Sequence, residues 1–205
     1  RFDRKEVSLD ERISYRQADL IEHSPTTTRH LAEGTMSIDA LAEASVVVSD
    51  NAAANLLLAR IGGPPAVTEF MRGLGDPTTR LDRNEPSLNE NGPDDPRDTT
   101  TPRAMAGLLQ RVLLGAVLSP PSRDRLLGWL RACETGKDRL SAGLPAGWSI
   151  GHKTGSGQHC TVNDVAIAVP PGRAPILIAS YMTGGPSGTL IKGAGAVGAG
   201  IAAGT

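Results

Sequence analysis

Apolar residues recur at helical spacing through the first two thirds of the chain and give way to strand-like runs in the last third. In Ser37 to Val48 a serine stands ahead of Ile38, Leu41 and Ala42, which predicts an amphipathic helix with a capped start. The run from Asn51 to Ile61 sets Leu56, Leu57 and Ile61 at helical spacing, and Gly62 with Gly63 supplies its stop. Pro64 to Leu74 repeats the pattern and ends at Gly75. Thr101 and Pro102 offer a cap and a first-turn proline to a helix carrying Met105, Leu108, Leu109, Val112 and Leu113, which stops at Gly115. Pro121 to Ala132 predicts one more helix, with Leu126, Leu127 and Leu130 on one face.

The last third reads as a β-meander: Trp148 to Gly155, Thr161 to Val169 and Pro175 to Thr183, parted by Gly157 to His159 and by Pro170, Pro171 and Gly172. A helix after Ser187 is expected to cover one face of this sheet. The fold class that follows is α+β, an antiparallel sheet flanked by helices plus an all-helical lobe. Residues 1–135 form the mostly helical part and 136–205 belong to the α/β part. Between the helices, Arg83 to Asp98 is dense in Pro, Asn, Asp and Gly and has no apolar period, so it must be a loop. A loop of that length inside a compact domain points to function.

Composition narrows the partners. With 205 residues, 39% hydrophobic and 21% charged, the chain can bury a substantial core. A net charge of -1 offers no field to attract nucleic acid or an anionic membrane. The Gly- and Ala-rich stretch from Gly193 to Thr205 is too short to span a bilayer and reads as a small-residue helix packed on the sheet. The chain opens at Arg1 without a leader-like region, as a mature or trimmed product would. Cys133 and Cys160 read as separate thiols, with a bridge open if the helix end meets the strand. His23, His30, His152 and His159 lack metal-ligand spacing, so no metal or cofactor is expected.

Two tripeptides carry chemistry. Ser49, Asp50 and Asn51 fall between two predicted helices, where they read equally as a helix cap. Lys153, Thr154 and Gly155 lie in the first strand of the meander, just before Ser156, and a strand glycine suits close approach of a ligand. Each is weak alone. Together, in this order, they form the pairing found in class A β-lactamases and penicillin-binding proteins, and the chain resembles class A β-lactamases over nearly all of its length.

The loop strengthens the resemblance. Glu85, Pro86, Ser87, Leu88 and Asn89 look like the omega-loop motif of that family, in which the Glu and Asn hold the hydrolytic water. Arg83 and Asp98 match the pair whose salt bridge closes the loop, and Thr99 to Pro102 matches as well. The resemblance implies opening of a β-lactam ring through a serine acyl-enzyme, in a site between sheet and helical lobe. It implies Glu85 as the base for the water and Asn89 as its guide. Ser49 would pass a proton to the departing nitrogen beside the positive Lys153, and Asn51 would bind the substrate's side-chain amide. Lys153, Thr154 and Gly155 would receive the substrate carboxylate, and the Ser156 N–H would supply half of an oxyanion hole. A second cation often follows on the next strand, but that position is Val162; Arg139 matches an alternative site, with an ordinary surface arginine as the competing reading. His23 aligns with an aromatic gatekeeper position, which implies altered substrate preference.

The nucleophile of the family belongs to a Ser-x-x-Lys motif, and no serine of this chain is followed three residues later by lysine. Arg1 to Asp3 resemble the end of the helix that bears it, so a longer protein is expected, with a truncated inactive product as the alternative. The resemblance further implies β-lactam antibiotics as partners, a monomer, and a periplasmic or secreted location in a bacterium. Two other functions stay open: a penicillin-recognising carboxypeptidase or transpeptidase, which Glu85 and Asn89 disfavour, and a non-enzymatic β-lactam sensor or inert remnant.

Overall fold

The computed structural model describes residues 1–90, 92 and 94–184. Strand β1 (Arg12–Ser14) pairs antiparallel with β2 (Thr35–Ser37), and the short helix α1 (Pro25–Arg29) lies between them. Elements of three to five residues are shorter than the period that would reveal them, so the apolar pattern did not predict these.

Longer helices begin where a side chain satisfies a free backbone donor. At the start of α2 (Ile38–Val47), the Ser37 hydroxyl accepts the Ala40 N–H at 3.2 Å. At α3 (Asn51–Ile61), the Asp50 carboxylate accepts the Ala53 N–H at 2.9 Å, and Gly62 ends the helix at φ 104°. Helix α4 (Gly63–Gly73) follows directly. Thr101 caps α5 (Pro102–Leu109), whose regular part is shorter than predicted because Gln110–Leu114 widens into a π turn before Gly115. Ser119 caps α6 (Pro120–Arg131).

The meander forms a three-stranded antiparallel sheet in the order β3 (Ser149–Gly157), β4 (Thr161–Val169), β5 (Ile176–Met182). Its register sets Lys153 opposite Val165, Thr154 opposite Asp164 and Ser156 opposite Val162. Strand β3 runs two residues past the predicted Gly155, because Ser156 and Gly157 still pair across to β4. Helix α6 packs on β3 and α5 on β5. The α6 contact is so close that a Cβ at Gly151 would sit 3.1 Å from the Leu130 Cβ and 3.4 Å from the Arg131 nitrogen.

Two cores result. Tyr15, Met36, Leu41, Ala44 and Ala53 join the amino-terminal strands to α2 and α3. Leu113, Leu130, Ile167 and Leu177 join α6 and the π turn to the sheet. Cys133 and Cys160 are free thiols. Among the described residues no helix is long and apolar enough to cross a membrane. The helix expected after Ser187 and the Gly193 to Thr205 stretch lie outside the described residues.

Candidate active site

The junction between α2 and α3 is built around Asp50, which is fully buried. Its carboxylate accepts the N–H groups of Thr26 at 2.8 Å and Thr27 at 2.9 Å, and the Thr27 hydroxyl at 2.9 Å, besides capping α3. A buried charge demands such partners, and in taking them it ties α1 to α3. Asn51 extends the seam: its N–H donates to the His23 carbonyl at 3.0 Å and its side-chain nitrogen to the Glu22 carbonyl at 3.0 Å. His23 is exposed, and its Nε2 lies 2.9 Å from the Val48 carbonyl, so this nitrogen carries the proton. The gatekeeper candidate is thereby pinned to the turn that presents Ser49.

Ser49 is held at φ 56°, a left-handed conformation that non-glycine residues adopt at a cost. Its hydroxyl accepts from the Lys153 ammonium, which also donates to the Thr154 carbonyl at 2.8 Å. Burial pushes the Lys153 pKa below the usual lysine range, and the negative charge of Glu85 offsets part of that shift. The Thr154 hydroxyl is 2.6 Å from that of Thr135.

Glu85 stands on the facing loop, and the Glu85–Pro86 bond is cis. Asn55, one turn into α3 from Asn51, brackets its main chain, and Asn89 donates to its Oε2 at 2.6 Å. Burial pushes the Glu85 carboxyl above the ordinary glutamate range, against the Asn89 hydrogen bond and the charges of Lys153 and His23. Arg83 and Asp98 meet at 2.6 Å at the base of the loop, where Asp98 also accepts the N–H of Asp82 at 2.6 Å and of Arg83 at 2.9 Å. The Gln158 N–H donates to the Asn89 carbonyl at 2.9 Å, joining the loop to the β3–β4 turn.

Arg139 lies across the sheet edge. Its guanidinium donates to the carbonyls of Gly155 at 2.9 Å and Asn163 at 2.8 Å and to the Ser156 hydroxyl at 2.8 Å. Val162, opposite Ser156, presents no charge there. Ser49, Lys153 and Thr154 are therefore in one hydrogen-bonded group, Glu85 and Asn89 form a second, and Arg139, Gly155 and Ser156 form a third. Sequence reasoning missed Asn55, although a lone amide between Ala54 and Leu56, four residues after Asn51, was a signal that this helix face is polar. Thr135 carried no such signal.

The model of the β-lactamase enzyme family matches residues 1–200. The chain is similar to β-lactamase CTX-M-8 of Citrobacter amalonaticus, 46% identical over 85% of this chain and 60% of the relative. It is similar to β-lactamase AST-1 of Nocardia asteroides, 49% identical over 85% of this chain and 56% of the relative. An ancestral class A β-lactamase superposes with a TM-score of 0.88 at 54% identity, covering 90% of this chain and 70% of that one. The chain spans about 60% of the length of the curated relatives it matches. With the family model covering nearly every residue and the fold shared at that identity, the chain belongs to the class A serine β-lactamase family.

Proposed function

We propose that this chain supplies the deacylation apparatus and the carboxylate-binding edge of an enzyme that hydrolyses β-lactams through a serine acyl-enzyme. No serine in these 205 residues begins a Ser-x-x-Lys motif, so the steps derived are those of the residues present. Glu85, as carboxylate, takes a proton from a water whose oxygen attacks the acyl carbonyl. The ester C–O bond then breaks and the serine oxygen regains a proton. Asn89 orients Glu85, and the Asn55 bracket keeps it facing the cleft. In the acylation half, Ser49 hands its proton to the departing ring nitrogen while Lys153 replaces it or steadies the charge. Thr154, Gly155 and Arg139 receive the substrate carboxylate, the Ser156 N–H polarises the carbonyl, Asn51 meets the side-chain amide and His23 flanks the entrance. We place the protein in the bacterial periplasm or outside the cell, as a monomer, on the same family grounds.

The observation that carries this reading is the half-buried Glu85 carboxylate, held by Asn89 and bracketed by Asn55 on the same helix whose start follows Ser49, the residue that the Lys153 ammonium holds. The test is nitrocefin hydrolysis by the protein expressed from its whole reading frame, compared with Glu85→Gln. The variant should lose on the order of a thousandfold in turnover and accumulate a covalent adduct by mass spectrometry, while the parent returns to its free mass. A parent that keeps the adduct for hours, or never forms one, defeats the reading.

A further inference from the structure

We propose that the buried pair His152 and Asp164 is a positioning device for Arg139, acting through the main chain of Leu140, and that it thereby sets affinity for the substrate carboxylate. The proposal rests on the β-lactam reading above and names two residues for which that reading has no use. His152 is 4% exposed and Asp164 3%. The His152 Nδ1 lies 3.0 Å and 3.2 Å from the two carboxylate oxygens of Asp164. A carboxylate so deeply buried is stable only with its oxygens hydrogen-bonded. His152 supplies one donor.

The Leu140 N–H supplies another, to the Asp164 Oδ2 at 3.2 Å. Leu140 follows Arg139 directly and opens a 3-10 turn. On the other side, the Arg139 N–H closes a turn onto the Gly136 carbonyl at 3.0 Å, with Gly136 at φ 66°. The backbone of Arg139 is thus fixed from before by Gly136 and from behind by Asp164. Its side chain has little further freedom: one nitrogen bonds two strand carbonyls and the other the Ser156 hydroxyl. Among the described residues Arg139 forms no ion pair, so its positive charge is left for an incoming anion. The register explains why the pair can do this. Asp164 sits opposite Thr154, two residues from the Ser156 pairing, so one β4 side chain reaches both His152 and the loop that carries Arg139.

Loss of the Asp164 acceptor leaves the Leu140 N–H unmatched and lets the turn drift, which weakens carboxylate binding while every hydrogen-bond partner of Glu85 and Ser49 stays in place. The expected result for Asp164→Ala is a KM for nitrocefin raised about tenfold with kcat nearly unchanged, and the same for Arg139→Ala. The double variant should be no worse than Arg139→Ala alone, because both act on one contact. Asp164→Asn should rescue: its oxygen still accepts from the Leu140 N–H, and its amide nitrogen can donate to the His152 Nδ1 in the tautomer that carries the ring proton on Nε2. Should Asp164→Ala fail to fold, Asp164→Leu removes the same acceptor without leaving a void and should raise KM alike. Multiplicative effects in the double variant, a fall in kcat at unchanged KM, or failure of Asp164→Asn to rescue overturns the proposal while hydrolysis by the parent stands. A parent that hydrolyses no nitrocefin overturns the β-lactam reading, and this proposal with it.

Discussion

The side-chain amide of Asn55 closes a two-bond bracket on the main chain of Glu85, donating to its carbonyl at 2.9 Å and accepting from its N–H at 3.0 Å. A helix thereby holds a loop residue 30 positions away in sequence as firmly as a strand partner would. Asn55→Ala should leave two main-chain groups unmatched, at a cost of about 1–3 kcal/mol, and lower Tm by roughly 2–4 °C for each kcal/mol lost. Turnover should fall on the order of a hundredfold through a displaced Glu85, with KM changed far less. Calorimetry and steady-state kinetics check both halves; an unaltered kcat in a destabilised variant would show that the bracket serves stability alone.

Arg83 and Asp98 form the ion pair at the base of the loop, with side chains 12% and 5% exposed. Asp98→Asn takes from Arg83 its nearest carboxylate and leaves Glu90 at 3.4 Å and Asp95 at 3.9 Å as its remaining ion partners, which should cost about 1–3 kcal/mol. The loosening should be local. Amide hydrogen exchange should accelerate between residues 82 and 98 while the β4 amides hold their protection. Uniform acceleration along the whole chain would contradict a loop-closing role.

Burial raises the Glu85 pKa and lowers that of Lys153. Both shifts disfavour the charged forms that the reaction needs. The acid limb of the kcat profile should therefore lie above the range of an ordinary glutamate, and the alkaline limb below that of an ordinary lysine. For stability the signs are these: the folded state binds the Glu85 proton more tightly than the unfolded chain, so that contribution is present at low pH and lost as pH rises through the raised pKa. The depressed Lys153 contributes stability at high pH that is lost as pH falls through its folded pKa. Near neutrality each charge is a liability, and Glu85→Gln should be more stable than the parent there. A lower midpoint for Glu85→Gln in urea at pH 7 would refute this.

Ser49 occupies φ 56°. Ser49→Gly relieves the left-handed strain and Ser49→Ala does not, although both remove the hydroxyl that meets Lys153. The glycine variant should be the more stable of the two by about 1 kcal/mol, read from urea midpoints, and both should lose the proton transfer to the leaving nitrogen. Equal stabilities would show that the turn carries no strain at this residue.

The helices α2, α3, α4 and α6 begin within a residue of the predicted starts at Ile38, Asn51, Pro64 and Pro121, and β4 spans the predicted Thr161 to Val169. Caps, glycine stops and apolar spacing act over three or four residues, through hydrogen bonds that a chain makes with itself locally, so they can be read in order along it. The Ser-Asp-Asn and Lys-Thr-Gly tripeptides were likewise visible as text, and so were the residues of the omega-loop motif. Their meeting was not. The Lys153 contact with Ser49 crosses 104 residues, that of Asn55 with Glu85 crosses 30, and Leu140 reaches Asp164 across 24. Such contacts arise when α6 docks on β3 and the sheet register aligns Thr154 with Asp164. Packing of apolar faces selects them, and the desolvation that packing imposes then raises the pKa of Glu85 and lowers that of Lys153, which their residue types alone do not decide.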